Sequence, residues 1–276
     1  MDIISIEYEI ALSKIDNVFE SAVDAYIDDS DYAYTITESA SDIDTLEYLM
    51  TEATNKFIEK TNKVFDAIIE VNSKFINDAK RTVKTKTKQK KINKAVKKIE
   101  KLSISGIQPK YDKNGEPINR YKQNDSEKEL YKEDKEAIKK TMKAYKKYLD
   151  KYIKLSYKIL YAKTDEEISK ISKLLDDENK IYMAELDENV ETCIHKYAWV
   201  GGKDGVEYDK ASIELYGNLE IIENLVNKKI GTLKAMASKA IDDNGEPNLK
   251  KVALLKKTSN NMTTATKKVV KAVSTI

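Results

Sequence analysis

Residues that interrupt secondary structure are scarce in this chain, and most of them are clustered. In 276 residues there are eight glycines and three prolines. Gly106, Pro109, Gly115 and Pro117 mark one stretch, Gly201, Gly202 and Gly205 a second, and Gly245 with Pro247 a third. Glycine and proline are the residues that cost a helix interior most. A chain with so few of them favours long, uninterrupted helices.

Apolar spacing divides the chain accordingly. Ile4, Tyr8, Ala11, Ile15, Val18, Ala22 and Ala25 recur in 4–3 steps, and the polar run 28–41 (DDSDYAYTITESAS) is expected to end that first helix. A second helix carries Ile43, Leu46, Met50, Ala53 and Phe57, then Thr61, Val64, Ile68, Val71 and Phe75. The two four-residue steps through Phe57 and Thr61 form a stutter, which locally unwinds a supercoil. The stripe fades after Phe75 and resumes weakly at Ile92, Val96, Ile99 and Leu102.

Residues 103–125 read as a linker. A capping box, Ser126–Glu129, opens a third helix with Tyr131, Ile138, Met142, Tyr145, Leu149, Tyr152 and Ile159 on one stripe. A second box, Thr164–Glu167, opens a fourth, with Ile168, Ile171, Leu175, Tyr182, Leu186, Val190, Cys193 and Tyr197. The short gap at Ala162–Lys163 implies an antiparallel hairpin. A fifth helix is expected from about Asp209 to Ile241, with Leu215, Leu219, Ile222, Val226, Ile230 and Leu233. The last carries Val252, Leu255, Met262, Val269, Val273 and Ile276, with Ser259 and Thr266 as polar members of the same seam.

The expected fold is therefore all-α: an elongated bundle of five to six long, coiled-coil-like helices. Its parts are an acidic helix and break over 1–41, a long helix over 42–102 with a basic C-terminal half, the linker 103–125 and a helical bundle region over 126–276. Seams this narrow are expected to pack against copies of the chain or other proteins of an assembly.

Charge is sorted along the same segments. Residues 1–52 hold fourteen acids and one base, Lys14; residues 80–101 hold eleven bases and one acid, Glu100; residues 248–276 hold seven lysines and no acid. The formal net charge is only +2. These blocks can pair within the chain, across subunits or with a polyanion. The candidate polyanion contacts are Lys80, Arg81, Lys84, Lys86, Lys88, Lys90, Lys91, Lys94, Lys97 and Lys98. Such a run gives salt-sensitive, sequence-independent binding to phosphates. Arg81 and Arg120 are the only arginines, so the bidentate forks that read phosphate geometry are nearly missing.

The residues offer no catalytic constellation and imply no cofactor. A single histidine, His195, rules out a di-iron Glu-x-x-His pair and multi-histidine zinc sites. Cys193, the only cysteine, lies on another face of the same helix and cannot form a nucleophile–base pair with it. One cysteine also excludes an intrachain disulfide. There is no phosphate-cradling glycine motif. Asp112-Lys-Asn-Gly-Glu-Pro117 and Asp242-Asp-Asn-Gly-Glu-Pro247 echo each other and read as turns, since Asn-Gly favours left-handed backbone. Asp28, Asp29 and Asp31 read as a solvated acidic turn. With an acidic N-terminus and no apolar run of membrane length, the expectation is a cytoplasmic chain without a membrane partner.

The segment order over residues 15–90 carries a resemblance. An acidic stretch (FESAVDAYIDDSDYAYTITESAS) precedes a lysine-bearing amphipathic helix (NKFIEKTNKVFDAIIEVNSKFINDAK). This order resembles internal and structural virion proteins of large tailed bacteriophages from low-GC hosts. The resemblance implies a non-enzymatic structural or assembly protein located in the virion. It also implies a processing site after Ile-x-Glu or Leu-x-Glu. Ile36-Thr37-Glu38 fits, making Glu38 the candidate cleavage position and residues 1–38 a removable propeptide that shields the basic stretch. The alternative is a cytoplasmic protein that binds nucleic acid without sequence preference through residues 80–101.

Overall fold

The computed structural model describes residues 3–40, 43–103, 125–197, 205–242 and 244–274, with side chains described over 6–35, 44–83, 136–189, 216–242 and 244–272. The expected all-α fold is present. Six helices follow one another: α1 (Ile3–Ala40), α2 (Ile43–Ser103), α3 (Asp125–Tyr161), α4 (Asp165–Tyr197), α5 (Gly205–Ala237) and α6 (Leu249–Ser274). Among the described residues the sole β-type pairing is an isolated antiparallel bridge, Ile241 with Pro247.

Cross-helix contacts set the directions. Tyr8 rests on Phe75 and Tyr26 on Phe57, with ring centroids 4.7 and 5.2 Å apart, so α1 and α2 are antiparallel. A ladder of Asn62–Ser238 (2.9 Å), Asp66–Lys234 (2.6 Å), Ser73–Asn227 (2.8 Å) and Lys80–Glu223 (2.6 Å) makes α2 and α5 antiparallel. Tyr148–Asn179 (3.1 Å) and Tyr152–Leu175 (2.8 Å) do the same for α3 and α4, as so short a connection, residues 162–164, requires. The Thr164 cap forms as read: the Glu167 amide donates to Thr164 Oγ1 (3.2 Å). The Glu167 carboxylate reaches back one residue beyond the cap, accepting from the Lys163 amide at 2.7 Å.

Helix α6 is the axis of the bundle. It packs against α2, α3, α4 and α5, and side chains of α1 reach it through Tyr8, Glu9 and Asp16. Its seam, expected to meet a partner, is filled by the chain's own helices. Val252, Leu255, Ser259, Met262, Thr266 and Val269 are all buried. So are Leu254, Thr258, Thr263, Ala265, Val270 and Ala272, which widens the stripe well beyond a two-helix seam. The heptad pattern correctly marks a buried face; a sequence pattern does not record that several neighbours cover it.

Other readings shift as well. The run 28–41 does not break α1, which is continuous to Ala40. The run contains no Gly or Pro, Ala33 is fully buried, and the hydroxyls of Ser30 and Thr35 donate to the carbonyls four residues back, at 2.7 and 2.8 Å, so the polar side chains are absorbed by the helix itself. Val18 is 56% exposed and Phe19 is buried in its place. The real α1 stripe runs Tyr8, Ile15, Phe19, Ala22, Tyr26 and Ala33, with Leu12 packed beside it, so the 4–3 spacing holds but Phe19 and Tyr26 are its members in place of Val18 and Ala25. On α2 the core continues past Phe75 through Ile76, Ala79 and Val83, where α5 covers it. Helix α5 starts at Gly205, four residues before its expected start, and ends at Ala237. Its seam is buried as expected: Leu219, Ile222, Val226, Ile230 and Leu233 have no exposed surface. Among the described residues no helix is long and apolar enough to cross a membrane.

The Asp242–Pro247 turn joins α5 to α6. Asp242 Oδ1 accepts from the amides of Asn244 and Glu246 at 2.9 and 3.0 Å, and Gly245 sits at φ 83°, the left-handed region an Asn-Gly turn needs. The other copy, 112–117, lies outside the described residues, as do most of the linker 103–125 and residues 201–204 of the glycine-rich stretch.

Candidate functional site

The first residue of the expected polyanion run belongs to the interior. Lys80 is buried and its Nζ lies 2.6 Å from the Glu223 carboxylate, the side chains being 10% and 20% exposed. The ammonium also faces the Tyr216 ring at 5.6 Å. It joins α2 to α5 and is withdrawn from solvent, so it is not a surface polyanion contact. Arg81, one residue on, points outward at 82% exposure, with a long 3.4 Å pair to Asp78 on its own helix. Lys84, Lys86, Lys88, Lys90, Lys91, Lys94, Lys97 and Lys98 lie on the helical backbone of α2, but their side chains fall outside the described residues. The side chain of Glu38 also falls outside them, and its backbone is helical rather than part of a break.

The basic tail finds its acids within the chain. Lys256 pairs with Asp16 and Lys267 with Glu9, both on α1. Lys250 pairs with Asp165, Lys257 with Asp176 (2.7 Å) and Lys268 with Asp187 (2.5 Å), all on α4. The three α4 aspartates are spaced by eleven residues, three turns of helix, so they fall on one line facing the parallel α6. The acidic head therefore meets the basic tail, and Glu7–Lys74 (3.7 Å) is a described ion pair of α1 with α2. The side chains of the stretch 84–101, which the head was expected to shield, lie outside the described residues.

Below these pairs lies a polar interior. Asn72 Nδ2 donates to Thr263 Oγ1 (3.0 Å) and to the Ile68 carbonyl (2.9 Å). The Tyr8 hydroxyl lies 3.2 Å from Asn72 Oδ1 and 3.0 Å from the Thr263 carbonyl. Thr266 donates to the Met262 carbonyl (2.7 Å) and so accepts from Tyr145 at 2.7 Å. Burial raises the phenols of Tyr8, Tyr145, Tyr148 and Tyr152 above the ordinary tyrosine range. A phenol pushed upward stays protonated near neutrality, which suits a structural donor and not a base. Among the described residues no three His, Cys, Asp or Glu side chains gather as metal ligands would. The side chains of Cys193 and His195 lie outside them. One open apolar groove of about 470 Å³ runs between the end of α3 and the start of α4, lined by Tyr157, Tyr161, Ile171 and Leu174 among others.

The sequence reading missed a basic surface on α3. Between Lys139 and Lys163 there are nine lysines and one acid, Asp150. The signal is denser than in the tail, where seven lysines fall in residues 248–276, while the tyrosines of the same segment mark its buried face. Lys140, Lys143, Lys146, Lys147, Lys154 and Lys158 are exposed. Asp150 is held by Lys229 of α5 at 2.6 Å. No protein-family model, curated protein or solved structure matches the chain.

Proposed function

We propose that this chain is a non-enzymatic structural protein, of the kind built into or assembled on a tailed-phage particle. The observation that carries the reading is how the interior polar groups are used. Tyr8, Asn72, Tyr145, Thr263 and Thr266 bond to one another or to helix carbonyls across α1, α2, α3 and α6. They lock helix register and, among the described residues, commit these groups to structure. The segment order over 15–90 supplies the phage setting. Helix α1 enters as a permanent part of the bundle, because its loss would strip Tyr8, Phe19 and Tyr26 from the core. The test is mass spectrometry of the particle from which the native protein is purified. Stoichiometric recovery of the chain, with residues 1–38 retained, supports the reading; recovery only from the cell lysate overturns it.

The second reading, sequence-independent binding of nucleic acid through the α2 stretch, is favoured by Arg81. It is exposed, and its one described acidic partner lies at 3.4 Å on its own helix.

A further inference from the structure

We propose that the outer face of α3 is a docking surface for the phosphate backbone of a nucleic-acid duplex. The inference does not rest on the structural-protein reading, nor on residues 80–101.

Lys140, Lys143, Lys147, Lys151, Lys154 and Lys158 follow one another in steps of three and four, so they share one face of the helix. The stripe covers about 27 Å at 1.5 Å per residue. Its opposite face is fully committed: Tyr145, Tyr148, Leu149, Tyr152 and Ile159 have no exposed surface. Lys151 is held by Glu178 at 2.5 Å, and Lys147 lies over the Tyr182 ring at 5.6 Å. Lys140, Lys143, Lys154 and Lys158 have no acidic partner among the described residues, and neither does Lys146 beside the stripe. This is the reverse of α6, where five lysines are matched by acids of neighbouring helices. Among the described residues, the fold pairs five lysines of α6 with neighbouring helices but only Lys151 of the α3 stripe.

The chemistry of the stripe selects the partner. An acidic protein is disfavoured because protein interfaces are depleted in lysine and anchored by aromatic or apolar side chains. The ring beside Lys147, Tyr182, is buried and offers a partner no anchor. An anionic membrane is disfavoured because an interfacial helix must bury its apolar face in lipid, and the apolar face of α3 is already spent in the core. Single strands are held by aromatic platforms along the groove. Here the exposed rings, Tyr157 and Tyr161, stand only at the end of the helix. A straight row of point charges without arginine forks matches regularly spaced phosphates, read without sequence preference.

The test is a salt titration of the full chain on a 30-base-pair DNA duplex of arbitrary sequence. Lys140, Lys143, Lys154 and Lys158→Gln together should lower the log–log salt slope by about 3 and weaken binding more than about tenfold at 0.1 M salt. Lys56, Lys60 and Lys63→Gln on α2 form the surface control and should change neither. A third variant, Lys90, Lys91, Lys94 and Lys97→Gln, separates the two basic segments. Loss of binding in this variant alone overturns the α3 proposal while sustaining the α2 reading. No measurable binding by the unsubstituted chain at 50 mM salt overturns both. Tighter binding to a single strand of equal length, or loss by the α3 variant only on phosphatidylserine vesicles, also overturns it. Circular dichroism of each variant confirms that the bundle is intact.

Discussion

The Tyr8 hydroxyl lies 3.0 Å from the carbonyl oxygen of Thr263, a contact between residues 255 positions apart. It ties the acidic first helix to the basic last one from the inside, while Glu9–Lys267 and Asp16–Lys256 tie them from the outside. Tyr8→Phe keeps the ring on Phe75 and removes only the hydroxyl. Its expected cost is about 1–2 kcal/mol, because the hydroxyl's single proton serves a buried acceptor, the Thr263 carbonyl or Asn72 Oδ1, that is left without this donor. A urea titration should show a lower midpoint with an unchanged slope.

Removing α1 altogether should be far more damaging. Deletion of residues 1–38 strips Tyr26 from Phe57 and Tyr8 from Phe75 on α2 and leaves Asn72 and Lys256 without their α1 partners. The truncated chain is expected to lose its cooperative thermal transition and to bind a hydrophobic dye. A sharp, unshifted melt would restore α1 as a dispensable propeptide.

Lys80 and Glu223 form the least exposed of the described ion pairs. Lys80→Met should cost about 2–3 kcal/mol, chiefly by leaving the Glu223 carboxylate partly buried without its counter-charge. The double variant Lys80→Met with Glu223→Leu is expected to recover most of that loss. A double-mutant cycle by urea unfolding measures the coupling. By contrast, Lys257→Ala should shift stability by less than about 1 kcal/mol, since the Lys257–Asp176 pair is exposed and screened.

Alkaline pH should destabilise the bundle. In the unfolded chain each phenol titrates near 10, while burial holds those of Tyr8, Tyr145, Tyr148 and Tyr152 above that value. Above pH 10 the unfolded state therefore binds fewer protons than the folded one, and stability falls as pH rises. Each such group contributes up to about 1.4 kcal/mol per pH unit until its folded pKa is reached. The urea midpoint should fall steeply between pH 10 and 11, and less steeply in Tyr145→Phe. An identical slope in that variant would show that other groups drive the loss.

Gly245→Ala tests the turn. A Cβ there would meet nothing within 4 Å, so any loss reports backbone strain at φ 83° and not a clash. The expected cost is about 1 kcal/mol, read as a drop in melting temperature.

Much of this was legible along the chain. Helix content follows from apolar period and the lack of breakers, and the α5 seam from Leu219 to Leu233 was placed residue by residue. The Thr164 cap was written in four residues. These are local properties, fixed by 3.6-residue geometry and nearest-neighbour hydrogen bonds. What only the tertiary structure decided is which face meets which. The α6 pattern says that Val252, Met262 and Val269 are buried, and it is silent on whether a partner or four helices of the same chain bury them. Lys80 and Arg81 are adjacent and chemically alike in sequence. One is buried against Glu223 and the other is in solvent, because a helix turns 100° between them and α5 covers only one side. The lysines of α3 and α6 are about equally dense; α1 and α4 bring acids to five lysines of the second and, through Glu178 at Lys151, to one of the first. Charge count is a property of the sequence, but charge compensation is set by packing.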